Sequence, residues 1–324
     1  MNTRVARLRT RSLAHRPTIS AERAVLLTEF YEEHAGQYPV PILRALSFQH
    51  LCEHKTVWIG DDELIVGERG PEPLAVPTFP ELTCHTADDL RILDSRTLTS
   101  YGVAPDVIDA YRRTVIPYWQ GRSLRDRIFP QLPEEWHDAY AAGVFTEFME
   151  QRAPGHTVAD GKIYRKGLLD FQNDIDAVLA TLRQDEDARR DQLTAMRIAA
   201  DAAMIYARRH ADMARAMAAA EPDAQRRAEL ETIAQVCDRV PAHAPETFHE
   251  ALQAYWFHHL AVVTELNGWD AFNPGHLDQH LQPYYERECA AGTLDREAAK
   301  ELLECWWVKF NNHPAPPKVG VTAA

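Results

Sequence analysis

Residues 244–289, APETFHEALQAYWFHHLAVVTELNGWDAFNPGHLDQHLQPYYEREC, decide the fold. The stretch starts as a helix. Pro245 suits a first helical position and Glu246 the positive end of the dipole, while Phe248, Ala251, Leu252, Tyr255, Trp256, His259, Leu260 and Val263 recur at helical spacing. Phe257, Ala261 and Val262 make the second half apolar on the other side as well, which places this helix inside a large protein. Asn267-Gly268 breaks it, Asn273-Pro274-Gly275 turns again, and Leu277 to Tyr285 resume a partly apolar helix. The loop between holds Trp269, Asp270, Phe272, His276 and Asp278. Pinned between two buried helices, it either presents these side chains to a ligand or spends them on its own backbone turns.

Outward from this stretch, the chain reads as helix after helix. Residues 20–35, with Ser20 as N-cap, and Pro41 to His54 form two helices. Thr56–Ile59 and Leu64–Gly67 flank Gly60-Asp61-Asp62 and predict a short hairpin. GERGPEPLAVPTFPE follows, and its prolines exclude a helix. Short helices are expected at 88–93, 106–118, 124–128 and 134–149, with a break at 151–176 around Pro154-Gly155 and Asp160-Gly161. From Leu168 the pattern is strongly helical: Leu193, Met196, Ala200, Ala203, Ala207, Met213 and Met217 trace a core stripe of a helical hairpin that turns at Glu221-Pro222. A last aromatic helix runs from the N-cap Asp295 to Asn311 with Leu302, Cys305, Trp306 and Phe310, and it must be buried.

Composition narrows the function. With 324 residues, 45% of them hydrophobic and 26% charged, the chain is globular and long enough for a sizeable core. A net charge of −13 argues against nucleic acid and against an anionic membrane surface. No run is apolar enough to span a bilayer. Five widely spaced cysteines without a CxxC pair fit a reducing cytoplasm. Residues 1–19, with Arg4, Arg7, Arg9, Arg11 and Arg16, read as a basic arm folded back on an acidic body, too brief in pattern for an amphipathic helix.

Dinucleotide, phosphate-loop, nucleophile-elbow and HExxH motifs are absent. His276 and His280, with Asp278 and Glu265, offer a zinc hydrolase reading whose spacing matches no known set. Arg152 and His156 bracket Ala153-Pro154-Gly155 and suit either an anionic or hydroxylated group or a surface salt bridge. Cys84-His85 is discounted as a nucleophile pair because adjacent side chains point apart.

Four segments go beyond spacing: IVGERGPEPLAVPTFPE (65–81), FTEFMEQRAPGHTVADGKIYRKGLLDFQNDI (145–175), TFHEALQAYWFHHLAVVTELNGWDAFNPGHLDQHLQPYY (247–285) and CWWVKFNNHPAPPKVGVTAA (305–324). In this order they resemble the pyruvate formate-lyase-like glycyl radical enzymes, from about residue 20 onward. The likeness is greatest to members acting on diols, hydroxyproline, choline or sulfonates. It implies a mostly helical chain forming the N-terminal part, residues 20–324, of a ten-stranded α/β barrel truncated at Ala324. It implies a glycyl radical installed by a radical-SAM activating enzyme, a thiyl cysteine, cleavage of a C–O, C–S, C–N or C–C bond in a small polar substrate, and a cytoplasmic homodimer when complete. Neither the radical glycine nor the thiyl cysteine has a counterpart here, so no catalytic residue is assigned, no metal or other cofactor is expected to bind, and the piece alone should not turn over. By the same likeness His156 contacts substrate, Arg152 falls where sulfonate-cleaving members place an arginine, and Trp269 and Asp270 line the pocket. The Trp-Asp pair stands where the dehydratases would carry His-Ser. A non-catalytic helical interaction module, or an inert fragment of the family, is the alternative.

Overall fold

The computed structural model describes residues 2–144, 160–266 and 274–317. Fourteen helices are named here: α1 Thr3–Ala14, α2 Glu22–His34, α3 Val40–His54, α4 Ala87–Ser95, α5 Pro105–Ala110, α6 Ile116–Trp119, α7 Leu124–Ile128, α8 Glu134–Ala141, α9 Leu168–Leu179, α10 Asp187–Ala220, α11 Ala224–Arg239, α12 Phe248–Glu265, α13 Leu277–Ala291 and α14 Arg296–Asn311. A π-helical turn, Tyr111–Val115, joins α5 to α6. Two strands, β1 Thr18–Ser20 and β2 Ala75–Pro77, pair in parallel with Ile19 opposite Val76.

The helix that organises the core is α12. Its start lies at Phe248 rather than Pro245, because Thr247 and Glu250 form a capping box in which each side chain closes the other's backbone N–H. Ala251, Leu252, Gln253, Ala254, Tyr255, Trp256 and Phe257 are all buried, so the helix is enclosed on every side, as its composition requires. Around it α10 packs on α3 and α11, and their contact is made by alanines. Ala202, Ala207, Ala211, Ala214 and Ala218 are buried and let the backbones approach, whereas Met196 of the expected stripe faces solvent. A second core, built from Leu27, Leu51, Leu90, Leu93, Tyr111 and Trp119, lies under the β1–β2 pair.

The expected hairpin does not form. Residues 56–59 and 64–67 carry no ladder. Instead, helix side chains satisfy the buried segment that follows: His249 binds the Leu64 carbonyl, Gln253 binds both Val66 backbone groups, Trp256 donates to the Gly67 carbonyl, and Tyr206 donates to that of Glu68. Backbone buried among helices has to find partners wherever it can. Gly67 is required here: its φ is +106°, and a Cβ would come 2.6 Å from Leu260 Cδ1.

The arginine-rich start is a helix, which the sequence reading did not expect. Asn2 caps α1, and the helix lies against α14. Arg7 and Arg11 meet Asp62, and Arg4 reaches Glu229 and Glu301, so ion pairs along one side supply what the weak apolar pattern lacks. Asp295 caps α14 as expected, and Trp306 is fully buried, but Trp307 is 50% exposed. The aromatic helix is therefore buried along one face and open along the next.

Candidate functional site

Arg152, His156, Trp269 and Asp270 lie outside the described residues. The described flanks of the two stretches that carry them adjoin. Asp160, the first described residue after 145–159, has Oδ1 3.8 Å from Nε2 of His280 on the first turn of α13, just past 267–273. Behind that contact Tyr164 stacks on the His280 ring with centroids 4.9 Å apart, and the Tyr284 hydroxyl donates to the Tyr164 carbonyl at 2.8 Å.

Arginines hold the other end. Arg23 Nε donates to the Thr264 carbonyl at 2.7 Å, Arg69 Nη2 to that of Val263 at 3.3 Å, and Arg44 grips the Glu265 carboxylate. Cations at the C-terminal end of a helix match the negative end of its dipole. The last turn of α12 is thus fixed immediately before residue 267.

Beside this turn lies a fully buried ionic chain. Lys309 Nζ donates to Glu63 Oε1 at 2.8 Å and also to Glu68, whose second oxygen lies 3.0 Å from His313 Nε2. His313 Nε2 also lies 3.3 Å from the Arg69 backbone N–H. One ring nitrogen cannot donate and accept at once. The shorter contact to a carboxylate fixes Nε2–H as the donor and leaves Nδ1 bare. Burial and the nearby cations Arg69, Lys309 and Lys55 hold His313 neutral, with its pKa well below the ordinary histidine value. Burial opposes the Lys309 ammonium, yet Glu63 and Glu68 outweigh it and its pKa ends raised. Burial raises the Glu63 carboxyl, and Lys309 offsets only part of that. This chain ties the 63–69 segment to α14 and the residues after it.

Burial keeps Cys52, Cys84 and Cys305 from nucleophilic work. Burial pushes Cys84 and Cys52 up to about 12 and brings His85 down to about 4, so Cys84-His85 is not a thiolate–imidazolium pair. Among the described residues no group of three or more His, Cys, Asp or Glu could hold a metal ion, and His280 is committed to Tyr164 and Asp160. No described helix is long and apolar enough to cross a membrane. A groove of about 790 Å³ runs along β1 and α5, and among the described residues Glu22, Glu72 and Asp106 are the ionisable ones that line it.

Set beside known proteins, the whole chain, residues 1–324, matches the family model described as pyruvate formate lyase-like. It is 52% identical over 323 residues to trans-4-hydroxy-L-proline dehydratase of Clostridioides difficile, covering 98% of this chain and 41% of that protein. It is 31% identical to isethionate sulfite-lyase of Nitratidesulfovibrio vulgaris, covering 90% of this chain and 37% of that protein. The crystal structure of hydroxyproline dehydratase from Clostridioides difficile with trans-4-hydroxy-L-proline bound superposes with a TM-score of 0.94 at 51% identity, over 99% of this chain and 41% of that one. The chain thus spans about two fifths of the length of the relatives it matches. Fold and sequence agree with one family over nearly the whole chain, and the chain belongs to the pyruvate formate lyase-like family.

Proposed function

We propose that this chain is the N-terminal part of a glycyl radical dehydratase acting on trans-4-hydroxy-L-proline or a close analogue. The observation that carries the reading is the gap between 52% identity to a hydroxyproline dehydratase and 31% to an isethionate lyase. In the complete enzyme a glycyl radical, installed by a radical-SAM activating enzyme, supplies hydrogen abstraction. The residues of this chain bind and orient the substrate.

Such a substrate carries a carboxylate, an amine and a hydroxyl. Arg152 offers a planar fork to the carboxylate, His156 a donor or acceptor to the hydroxyl, and Asp270 an anion to the amine, with Trp269 as an apolar wall. Holding one C–H toward the abstracting group is a positioning role. The segment bearing Arg152 and His156 ends at Asp160 and the one bearing Trp269 and Asp270 runs from α12 to α13, and the arginine clamp and the Tyr164–His280 stack support the reading that they share a rigid base. The enzyme would work in the cytoplasm as a homodimer.

The test is anaerobic activation of the complete protein with its activating enzyme, with radical content read by electron paramagnetic resonance. Trans-4-hydroxy-L-proline, isethionate and a vicinal diol are then compared as substrates. Loss of water from hydroxyproline, with a pyrroline carboxylate as product, is the expected result. A radical-bearing enzyme that turns over only isethionate or the diol would overturn the assignment.

A further inference from the structure

We propose that His280 is a positioning residue for substrate binding: its ring clasps the turn Asp160–Tyr164 to the first turn of α13 and so keeps the ends of two stretches in one register. This rests on the functional reading above, in which Arg152 and His156 on one stretch and Trp269 and Asp270 on the other meet the substrate. The first stretch leads into Asp160 and the second into α13.

The turn needs a clasp. It opens on Asp160 at a φ of +51°, a left-handed conformation that surrounding contacts have to hold. Ile163 and Tyr164 root its far end in the core, as Leu281 and Tyr284 root α13, and the Tyr284 hydroxyl donates to the Tyr164 carbonyl at 2.8 Å. His280 lies nearer the rim, with its side chain 18% exposed.

The contacts of its ring differ in weight. Nε2 lies 3.8 Å from Asp160 Oδ1, too long for a hydrogen bond, and Asp160 is 79% exposed, so water screens the attraction. The stack on the buried Tyr164 is stronger, with centroids 4.9 Å apart and planes 23° from parallel. Gly161 supplies the closest approach. A Cβ there would come 3.2 Å from His280 Cε1 and 3.6 Å from its Nδ1, as well as 2.9 Å from Arg165 Nη1. The ring therefore lies directly over the backbone of the turn. Stacking and close approach make the clasp, and charge adds little.

Without the ring the core roots remain, but the turn and the start of α13 can shift against one another. A substrate that needs groups from both stretches then binds only the fraction still in register, and its apparent affinity falls by that fraction. Losing one ring pair corresponds to a shift of roughly three- to tenfold. A side chain at the rim can be lost with little change in global stability, which separates positioning from core packing.

The test uses the complete, activated enzyme and whichever of trans-4-hydroxy-L-proline, isethionate and a vicinal diol the unmodified protein turns over. His280→Ala should raise KM roughly three- to tenfold, with kcat changed less and the thermal midpoint nearly unmoved. His280→Phe, which keeps a ring over Tyr164, should restore KM. An unchanged KM in His280→Ala, a rise that phenylalanine does not reverse, or a lower midpoint with no change in KM would overturn the proposal. The second measurement, amide exchange, needs no substrate. His280→Ala should speed exchange at Arg165 and Lys166, whose N–H groups donate to the Lys162 carbonyl, together with the first turn of α13. Faster exchange on one side alone would show that the ring does not tie the two. Faster exchange on both sides in a protein inert toward all three substrates would overturn the functional reading while supporting the clasp.

Discussion

Gln253 stands in for a neighbouring strand at Val66. Its Oε1 accepts the Val66 N–H at 2.9 Å, and its Nε2 donates to the Val66 carbonyl at 2.9 Å, with both residues fully buried. A primary amide matches one donor and one acceptor in a single plane, as a peptide group across a ladder would. Gln253→Leu would leave both backbone groups buried and unpaired, at about 1–3 kcal/mol each. Chemical denaturation should show that loss, together with faster amide exchange at Val66. An unchanged midpoint would mean that water replaces the side chain.

The Lys309 ammonium is the cation that the Glu63 and Glu68 carboxylates share, with Gly60 N–H on Glu63 and His313 on Glu68 supplying only neutral contacts. Removing one member of a buried ion pair strands the other, so Lys309→Met should destabilise by about 3–5 kcal/mol. Adding Glu63→Gln should recover part of the loss. If the two losses simply add, the groups are not coupled and the chain of contacts is incidental.

Buried histidines, His210 and His85 among them, contribute to the acid limit of stability. Burial holds His210 down to about 3, aided by Lys55, Lys309 and Arg209, and burial holds His85 down to about 4. Both start near 6.5 in the unfolded chain, so below that value the unfolded state takes up protons that the folded state refuses. Their stabilisation is fully present above pH 6.5 and is lost as pH falls toward 4 for His85 and toward 3 for His210, with each group contributing a slope of up to about 1.4 kcal/mol per pH unit. His210→Leu should flatten the slope in that window whatever it does to the absolute stability. A slope unchanged by the substitution would assign acid sensitivity to other groups.

The parts of the fold legible in the sequence were those governed by local rules. Helical spacing placed α3, α7, α10 and α14 to within a residue or so at most of their ends, because caps and apolar periods act over a few positions. The 64–69 segment was misread because its hydrogen-bond partners come from Tyr206, His249, Gln253 and Trp256, far away in sequence, and alternating apolar residues look the same whether they face a strand or a helix. α1 was missed for a related reason: its arginines are held by Asp62, Glu229 and Glu301. The buried chain through Lys309 and His313 left no spacing signal at all. His156 and Asp270 were singled out by spacing and loop position and then by family resemblance, and both lie outside the described residues. The structure adds the arginine clamp that ends α12, which no motif announced.

That clamp allows support to be separated from contact. Arg23 donates to Thr264 and pairs with Glu81, so it fixes the turn that ends α12. His156 and Asp270, in the proposed function, touch the substrate. In the complete, activated enzyme, His156→Ala and Asp270→Asn should each lower kcat/KM by roughly a hundredfold, since losing a group that aligns the reacting bond forfeits positioning. Glycyl radical content, read by electron paramagnetic resonance, should stay intact. Arg23→Met should instead lower the thermal midpoint, and KM should rise as the supporting turn loosens. Kinetics for His156→Ala equal to the unmodified enzyme would remove that residue from the site. An Arg23→Met enzyme with full stability and unchanged KM would show that the end of α12 does not need its clamp.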